Sequence, residues 1–260
     1  MQTNLHKEEM TRSVPLNETF QASPMMVKSE PRSIRHRSEA ERLILRRGWL
    51  ADQPAELQRA VLSRARLIEH GTGEFLHHVG DEPGGIHGIV SGAVGIHVPL
   101  AGGELLLAHV ATCGTWFGYG PLLRSGRRSL TISVIEEASL FSLALSDAQS
   151  IARQSPEFQR SILTIGEYGM DIAVATIACL LLRRPDQRIA ATLVRLDATD
   201  PDATGILRVT QSMLGEMANV DRRLVNRILR SMAESGAVAV AYRQITVLNR
   251  AMLTAIAQSA

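Results

Sequence analysis

The window from Gln211 to Arg230 is the part of the sequence that most restricts the fold. Two helices that cross at about 90–120° through a tight turn need a small residue where they approach closely, and Gly215 supplies it. The turn needs a residue that tolerates a left-handed backbone, which Asn219 does more readily than most non-glycine residues. The positions that such a pair must bury are all apolar: Leu214, Ala218, Val220, Val225 and Ile228. The window therefore predicts a helix-turn-helix.

The second helix of this pair has a strongly basic outer face. Asp221 is its expected N-cap, because a carboxylate there accepts hydrogen bonds from the first free backbone amides. Arginine pairs bidentately with guanine in the major groove, and asparagine pairs with adenine. A merely solvated basic face is the alternative, but it would leave the buried turn without a purpose. The face that we expect to bind DNA consists of Arg222, Arg223, Asn226, Arg227 and Arg230. Arg230 lies a turn or more from the helix tip, so we expect it to contact a phosphate.

A short hairpin follows the recognition helix. Gly236 is the expected helix end, because glycine adopts the left-handed conformation there at little cost. Segments 237–240 and 244–248 alternate as strands do, with a turn around Ala241 to Arg243. This turn lacks the glycine that hairpins usually carry. We interpret the hairpin as a wing whose Arg243 reaches a DNA phosphate.

The middle of the chain has a different residue pattern. Between Ile68 and Leu145 glycines separate short apolar segments, which predicts many short strands in an all-β sandwich or barrel. Two short helices are expected between Glu39 and Leu67, and residues 1–38 read as a disordered tail.

A long helix is predicted from Ser155-Pro156-Glu157 to about Leu182, where Arg184-Pro185 stops it. One stripe along it contains Ile162, Ile165, Gly169, Ile172, Thr176 and Cys179. A second stripe contains Leu163, Met170, Ala173, Ile177 and Leu180. We expect one stripe to pack on the β domain and the other on another copy of the chain, which predicts a homodimer. The alternative is that both stripes are intramolecular core.

Composition and missing motifs exclude several classes. No apolar run approaches the ~18–20 residues of a membrane span, and Lys7, Glu8 and Glu9 occupy the place of a signal-peptide core, so we expect a cytoplasmic protein. Two cysteines, Cys113 and Cys179, are too few for a four-cysteine iron–sulfur cluster or zinc site. Nucleotide-binding GxGxxG and Walker motifs and the GxSxG elbow are missing, so no enzyme is predicted.

From Arg42 to Ala257 the sequence resembles the Crp/Fnr family of transcription regulators. The most specific part is the run VTQSMLGEMANVDRRLVNRILR from Val209, followed by Glu234-Ser-Gly and Ile245-Thr-Val. The resemblance implies an α+β fold: a jelly-roll-like β-roll effector domain, a dimerisation helix and a winged helix-turn-helix. The corresponding boundaries are residues 1–38 for the tail, 39–154 for the β-roll with flanking helices, 155–184 for the dimerisation helix and 185–260 for the DNA-binding domain.

The resemblance also implies partners and contacts. Double-stranded DNA, a second copy of the chain and RNA polymerase are the expected partners. Thr210 and Gln211 would touch the DNA backbone, while Arg222, Arg223, Asn226 and Arg227 would face bases. The family often has Glu at Arg223 and Ser or Gly at Asn226, so the operator bases are expected to differ from the usual ones. Arg227 matches well and is the strongest candidate for a base contact.

The implied effector pocket departs from the cyclic-AMP-binding pattern. Tyr119 stands where a ribose-binding Glu is expected, and Ala173-Val174 replaces the polar pair that meets adenine. The Arg-Ser pair that would hold a phosphate is retained. We expect a degenerate pocket with an unknown ligand or none, and no cyclic AMP; the alternative is a sensing module that requires an effector. The pocket candidates are Gly118, Tyr119, Arg128, Ser129 and Thr176.

Haem is bound by some members of the family, and this chain offers scattered histidines. They are His70, His77, His78, His87, His97 and His109. Histidines at such spacing are usually surface or core residues, so neither haem nor a metal is predicted.

Overall fold

The computed structural model describes residues 37–124, 126–200 and 204–259. Its helices are α1 (Arg37–Ile44), α2 (Ala55–Leu62), α3 (Gly120–Leu123), α4 (Leu145–Gln154), α5 (Pro156–Leu180), α6 (Pro185–Ala198), α7 (Gln211–Ala218), α8 (Arg222–Glu234) and α9 (Arg250–Gln258). Its strands are β1 (Arg66–His70), β2 (Phe75–His77), β3 (Ile86–Pro99), β4 (Leu105–Thr112), β5 (Trp116–Phe117), β6 (Thr131–Leu143), β7 (Ile206–Leu207), β8 (Val238–Ala241) and β9 (Gln244–Val247). The predicted tail lies outside the described residues, except for its last two positions, which begin α1.

The β-roll is one antiparallel sheet with the order β1-β6-β3-β4, in which β2 also pairs with β6 and β5 with β3. The prediction of many short strands was wrong for β3 and β6, which run for 14 and 13 residues. Register shifts between Ile89 and Val94 interrupt the pairing of β3 with β6, and such bulges bend a strand without ending it. Gly92 lies in this region at φ +80°, where a Cβ would fall 2.1 Å from the carbonyl oxygen of Glu137. Gly92, which we interpreted as a break between strands, is a bend inside a continuous strand.

The long helix α5 begins where predicted. The Ser155 hydroxyl accepts a hydrogen bond from the backbone amide of Phe158 at 3.2 Å, and Pro156 occupies the first turn. The first predicted stripe faces inward: Ile162, Ile165 and Cys179 are buried, and its other members are half-buried. Every member of the second stripe is exposed. The two faces of α5 are therefore separated as the sequence predicted.

Among the described residues, α5 is also the one helix whose length and composition would allow it to cross a membrane. This differs from the expectation that no segment approaches that length. Core helices of soluble proteins meet the same criterion, and α5 owes its hydropathy to carrying two apolar stripes instead of one. Trp49, in the segment between α1 and α2, donates a hydrogen bond from Nε1 to the Ser161 carbonyl at 2.7 Å, so one face of α5 is bound to this segment.

The C-terminal part of the chain is organised around a further group of buried side chains. Ile189, Leu193, Leu214, Leu229 and Leu253 are buried there, between helices α6 to α9 and a sheet with the order β7-β9-β8. The wing strands β8 and β9 were predicted to within about one residue of their observed ends. Strand β7 and helix α9 were not predicted.

The core of the helix-turn-helix continues into the β-roll. Leu107 and Val110 of β4 belong to the same cluster of buried side chains as Leu214 and Met217 of α7. Helix α7 therefore packs directly on the edge strand of the β-roll.

Candidate DNA interface

The turn between α7 and α8 has the geometry that its sequence predicted. Asn219 adopts a left-handed conformation with φ 50° and ψ 55°, and the amide of Val220 donates to the Gly215 carbonyl at 2.8 Å. A Cβ on Gly215 would lie 2.6 Å from the carbonyl oxygen of Val220, closer than real Cβ contacts. At the other end of α7, the Thr210 hydroxyl accepts from the Met213 amide at 3.1 Å, which leaves its own proton free to be donated. Gly215 and Asn219 are confirmed in their predicted roles.

Helix α8 separates its two faces sharply. The Asp221 carboxylate accepts from the Arg223 amide at 2.8 Å, which confirms the predicted cap. Val225, Leu229 and Met232 are buried beneath the helix. The only acidic residue in α8 is Glu234, its last residue, so the outer face is cationic. All five side chains predicted for that face are exposed: Arg222, Arg223, Asn226, Arg227 and Arg230.

The wing turns at Tyr242 and Arg243. Arg243 adopts φ 55°, so an arginine takes the left-handed position for which the sequence offers no glycine. Tyr242 beside it is 89% exposed. A residue with a side chain costs about 1–2 kcal/mol more than glycine in the left-handed conformation. This cost favours a functional role for the Arg243 side chain.

A cleft of about 390 Å³ separates the wing from the entrance of α7. Thr210, Gln211, Arg222 and Arg243 line it together, so four predicted DNA contacts lie around one concave surface. Arg223, Asn226, Arg227 and Arg230 continue outward along α8. The sequence analysis missed Ser212, Tyr242 and Gln244, which also line the cleft. An aromatic residue at a predicted hairpin tip was the available signal for Tyr242.

The predicted effector residues occupy two places. Arg128 is buried, and it donates to the Gly118 carbonyl at 3.0 Å and to the Gly85 carbonyl at 2.9 Å. Burial lowers the pKa of its guanidinium. Gly84 lies so close that a Cβ there would be 2.3 Å from Nη2 of Arg128. Ser129, its predicted partner, is exposed. Arg128, to which the resemblance assigns a phosphate, therefore donates hydrogen bonds to backbone carbonyls of its own chain.

Tyr119 connects this region with the long helix. Cβ atoms built on Gly166 and Gly169 would lie 3.4 Å from its ring carbon Cε2 and its hydroxyl oxygen, respectively. The ring therefore packs on the flat surface that these two glycines leave on α5. Thr176, further along α5, donates its hydroxyl proton to the Ile172 carbonyl at 2.8 Å. Tyr119 lies beside α5, and Thr176 uses its donor inside the helix.

Known proteins share both the domains and their order. The family model of the cyclic nucleotide-binding domain matches residues 67–155, and that of the Crp-like helix-turn-helix domain matches residues 187–256. The cyclic AMP receptor protein of Thermus thermophilus is 24% identical over 210 residues, which are 80% of this chain and 94% of that protein. This chain belongs to the Crp/Fnr family of transcription regulators.

Solved structures agree with the Crp/Fnr fold. FixK2 from Bradyrhizobium japonicum has a TM-score of 0.66 at 20% identity, with 75% of this chain and 98% of that one covered. CLP, described as a c-di-GMP-responsive global regulator of Xanthomonas campestris, has a TM-score of 0.62 at 18% identity, with 75% and 99% covered. At these identities the similarity establishes the fold, and it confirms the predicted order of β-roll, long helix and helix-turn-helix.

The six histidines that the sequence analysis considered as haem ligands are dispersed through the β-roll of this Crp/Fnr protein. Burial, followed by the charge of Arg128, lowers the pKa of His77 to about 4 and that of His87 to about 3. His97 contacts the Ser133 hydroxyl at 2.8 Å, and His70 contacts Glu74 at 2.9 Å. In the part of the chain that the structure describes, no three His, Cys, Asp or Glu side chains are grouped to hold a metal ion. That the regulator takes no haem or metal stays a prediction.

The sequence analysis predicted no role for two arginines of α6 that make contacts between elements. Arg195 is buried and contacts Nδ1 of His109 on β4 at 2.9 Å, so it joins the helix-turn-helix domain to the β-roll. Arg188 bonds to backbone carbonyls after α5 and at the end of α7. On α7 and β4 the acceptors are distant in sequence from both arginines, so no local pattern pointed to these contacts.

Proposed function

We propose that this Crp/Fnr regulator binds an inverted-repeat DNA operator as a homodimer, without catalysis, and that its DNA binding needs no cyclic nucleotide. The observation that carries the proposal is the exposed face of α8, where four arginines and Asn226 stand beside the cleft under the wing. Such a helix suits a major groove, while the cleft suits a phosphate backbone. We expect such a regulator to act in the cytoplasm and to contact RNA polymerase.

The dimer follows from the uncovered stripe of α5. Leu163, Met170 and Ile177 recur every seven residues and are 52%, 63% and 57% exposed. Ala173 and Leu180 lie three residues after Met170 and Ile177, which completes the a/d pattern of a two-stranded coiled coil. An apolar stripe of this length is costly in water, and a second α5 would cover it. Two copies related by a two-fold axis would present their α8 helices about one DNA turn, roughly 34 Å, apart.

Independence from a nucleotide is supported by the interior of the β-roll. Arg128 already donates to Gly85 and Gly118, and Tyr119 packs on α5 where the sequence pattern of cyclic-AMP-binding members would place a carboxylate. Two of the five N–H donors of Arg128 are thus engaged by the protein's own backbone, which leaves fewer of them for a ligand phosphate.

The second candidate is a regulator that requires a nucleotide effector. The match to a cyclic nucleotide-binding domain and the buried Arg128 favour it. Titration calorimetry with cyclic AMP and with cyclic di-GMP separates the two candidates. Tight binding of either one, together with stronger operator binding, would establish the second candidate and contradict the first.

DNA binding itself is tested by selecting bound duplexes from a random pool. We expect an inverted repeat with half-sites about one turn apart. Arg227→Ala should then weaken binding by about 1–3 kcal/mol and relax the preference at one base position of each half-site. The control is Arg153→Ala, which removes the same charge from the exposed side of α4. If the selected duplexes share no sequence, or if Arg227→Ala binds the operator as tightly as the unmodified protein, the proposal is wrong.

A further inference from the structure

The guanidinium of Arg188 lies between the ends of two helices that belong to different parts of the molecule. Its Nη1 donates to the carbonyls of Leu182 and Arg183, both at 3.1 Å, just after the end of α5. Its Nε donates to the Ala218 carbonyl at 2.9 Å, and its Nη2 donates to the Asn219 carbonyl at 3.1 Å. Arg188 itself is part of α6, so one side chain connects three helices.

The chemistry of this contact makes it rigid. One of the four acceptors, the Ala218 carbonyl, belongs to the last residue of α7, where carbonyls have no partner inside the helix and carry the negative end of its dipole. A guanidinium is permanently charged and planar, and its donors point in fixed directions. The hydrogen bonds of Arg188 given above all go to backbone carbonyls, so they fix the course of the main chain. A rotation of α7 against α5 would break at least two of them.

The carbonyls that Arg188 binds on α7 stand immediately before the recognition helix. Asn219 is the left-handed residue of the turn, and Asp221, two residues later, caps α8. The direction in which α8 leaves the turn is set by these residues. Arg188 thus connects the exit of α5, the proposed dimer helix, to the entrance of α8.

We infer that Arg188 is a positioning residue that fixes the angle between α5 and α8 and thereby sets the spacing of DNA half-sites that the dimer accepts. The inference rests on the proposed function. In a dimer joined through α5, the separation of the two α8 helices depends on that angle. One added base pair moves a half-site by about 3.4 Å and turns it by about 34°. The two α8 helices can follow this displacement only if the angle between α5 and α8 is free to change.

The test compares operators of different spacing. The selected inverted repeat is made with its natural central spacer and with spacers one and two base pairs longer or shorter, and a duplex with a single half-site measures recognition alone. Affinities are measured by fluorescence anisotropy for the unmodified protein, Arg188→Ala, Arg188→Lys and the control Arg183→Ala. Arg183 is the exposed neighbour whose side chain carries the same charge. Circular dichroism checks that each variant is folded.

The unmodified protein and Arg183→Ala should prefer the natural spacer by about tenfold or more over spacers changed by one base pair, equivalent to about 1.4 kcal/mol. For Arg188→Ala we expect this ratio to fall to about twofold, with single half-site affinity changed by no more than about twofold. Arg188→Lys should be intermediate, because one ammonium cannot reach both pairs of carbonyls. An equal loss on all duplexes would show a merely structural role and overturn the inference.

Two other results have definite meanings. If Arg188→Ala does not fold, Arg188→Lys decides, and an unchanged spacing preference in that variant overturns the inference. If the unmodified protein binds no inverted repeat, the proposed function fails, and the inference fails with it. A sharp spacing preference that persists in folded Arg188→Ala contradicts this inference alone.

Discussion

The carboxylate of Glu216, on the first helix of the helix-turn-helix, accepts a hydrogen bond from the backbone amide of Leu107 at 2.6 Å. Leu107 lies on β4, the last strand in the order of the β-roll sheet, next to a register shift that leaves Ala108 without a partner residue on β3. Arg195 donates to the carbonyl of Ala108 at 3.3 Å. Side chains of the DNA-binding domain thus bind two backbone groups of the edge strand, the Leu107 amide and the Ala108 carbonyl.

Removing this contact should loosen the junction between the two domains. In Glu216→Ala we expect the Leu107 amide to exchange faster with deuterium and the free energy of unfolding to fall by about 1 kcal/mol. Mass spectrometry of peptides that cover β4 measures the exchange. Glu234→Ala removes the same charge from the exposed end of α8 and should leave β4 unchanged. Identical protection of β4 in both variants would contradict the role of Glu216.

The close approach at Gly215 predicts an intolerance to any side chain. Gly215→Ala places a methyl group 2.6 Å from the Val220 carbonyl oxygen and should cost about 1–3 kcal/mol of stability together with DNA affinity. The control is Gly102→Ala, where a Cβ meets nothing within 4 Å. Urea unfolding and anisotropy titrations measure both effects. Equal stability of the two variants would show that the helices are less tightly packed than the structure has them.

The dimer proposal predicts that a charge in the exposed stripe of α5 separates the subunits. Ile177→Glu should sediment as a monomer and bind the full operator no better than a single half-site, because a carboxylate in an apolar seam is costly. Thr164→Glu adds the same charge at an exposed position outside the stripe and should leave the dimer intact. Analytical ultracentrifugation distinguishes them. A dimeric Ile177→Glu protein would place the subunit contact elsewhere.

The buried His109 predicts a loss of stability in mild acid. Burial, with the nearby charge of Arg195, lowers its pKa from 6.5 to about 3, so the unfolded chain binds a proton that the folded chain does not. Its stabilising contribution is complete above about pH 6.5 and declines as the pH falls toward 3, by at most about 1.4 kcal/mol per pH unit. His109→Gln cannot titrate, so its unfolding free energy should depend less on pH between 7 and 5. Parallel pH profiles of the two proteins, measured by urea unfolding, would refute this assignment.

Arg243 at the wing tip predicts opposite effects on stability and binding. Arg243→Gly relieves the left-handed backbone and should raise the free energy of unfolding by about 1 kcal/mol. It also removes a cation from the cleft, so DNA binding should weaken and its salt dependence should fall by about one unit of slope. Arg243→Asn, which tolerates the same backbone, separates the two effects. Unchanged salt dependence in both variants would remove Arg243 from the DNA contacts.

The parts of the site that the sequence predicted are those governed by neighbours along the chain. Gly215, Asn219 and Asp221 act within one tight turn, and their steric and capping requirements are local. The two stripes of α5 follow from helical period alone. The strands of the β-roll were harder, because Gly92 reads as a break in sequence but forms a bend only when β6 lies beside it.

The order of the domains, the recognition helix and the separated faces of α5 were thus determined by local patterns of residue size, capping and period. Tertiary structure alone decided that Arg128 would donate to Gly85 and Gly118, that Glu216 would cover the edge of β4, and that Arg188 would join α5 to the turn before α8. The physical reason is that these side chains bind backbone groups. Every residue type offers the same carbonyl, and every type except proline offers the same amide N–H, so only the folded chain shows which of them a given side chain meets.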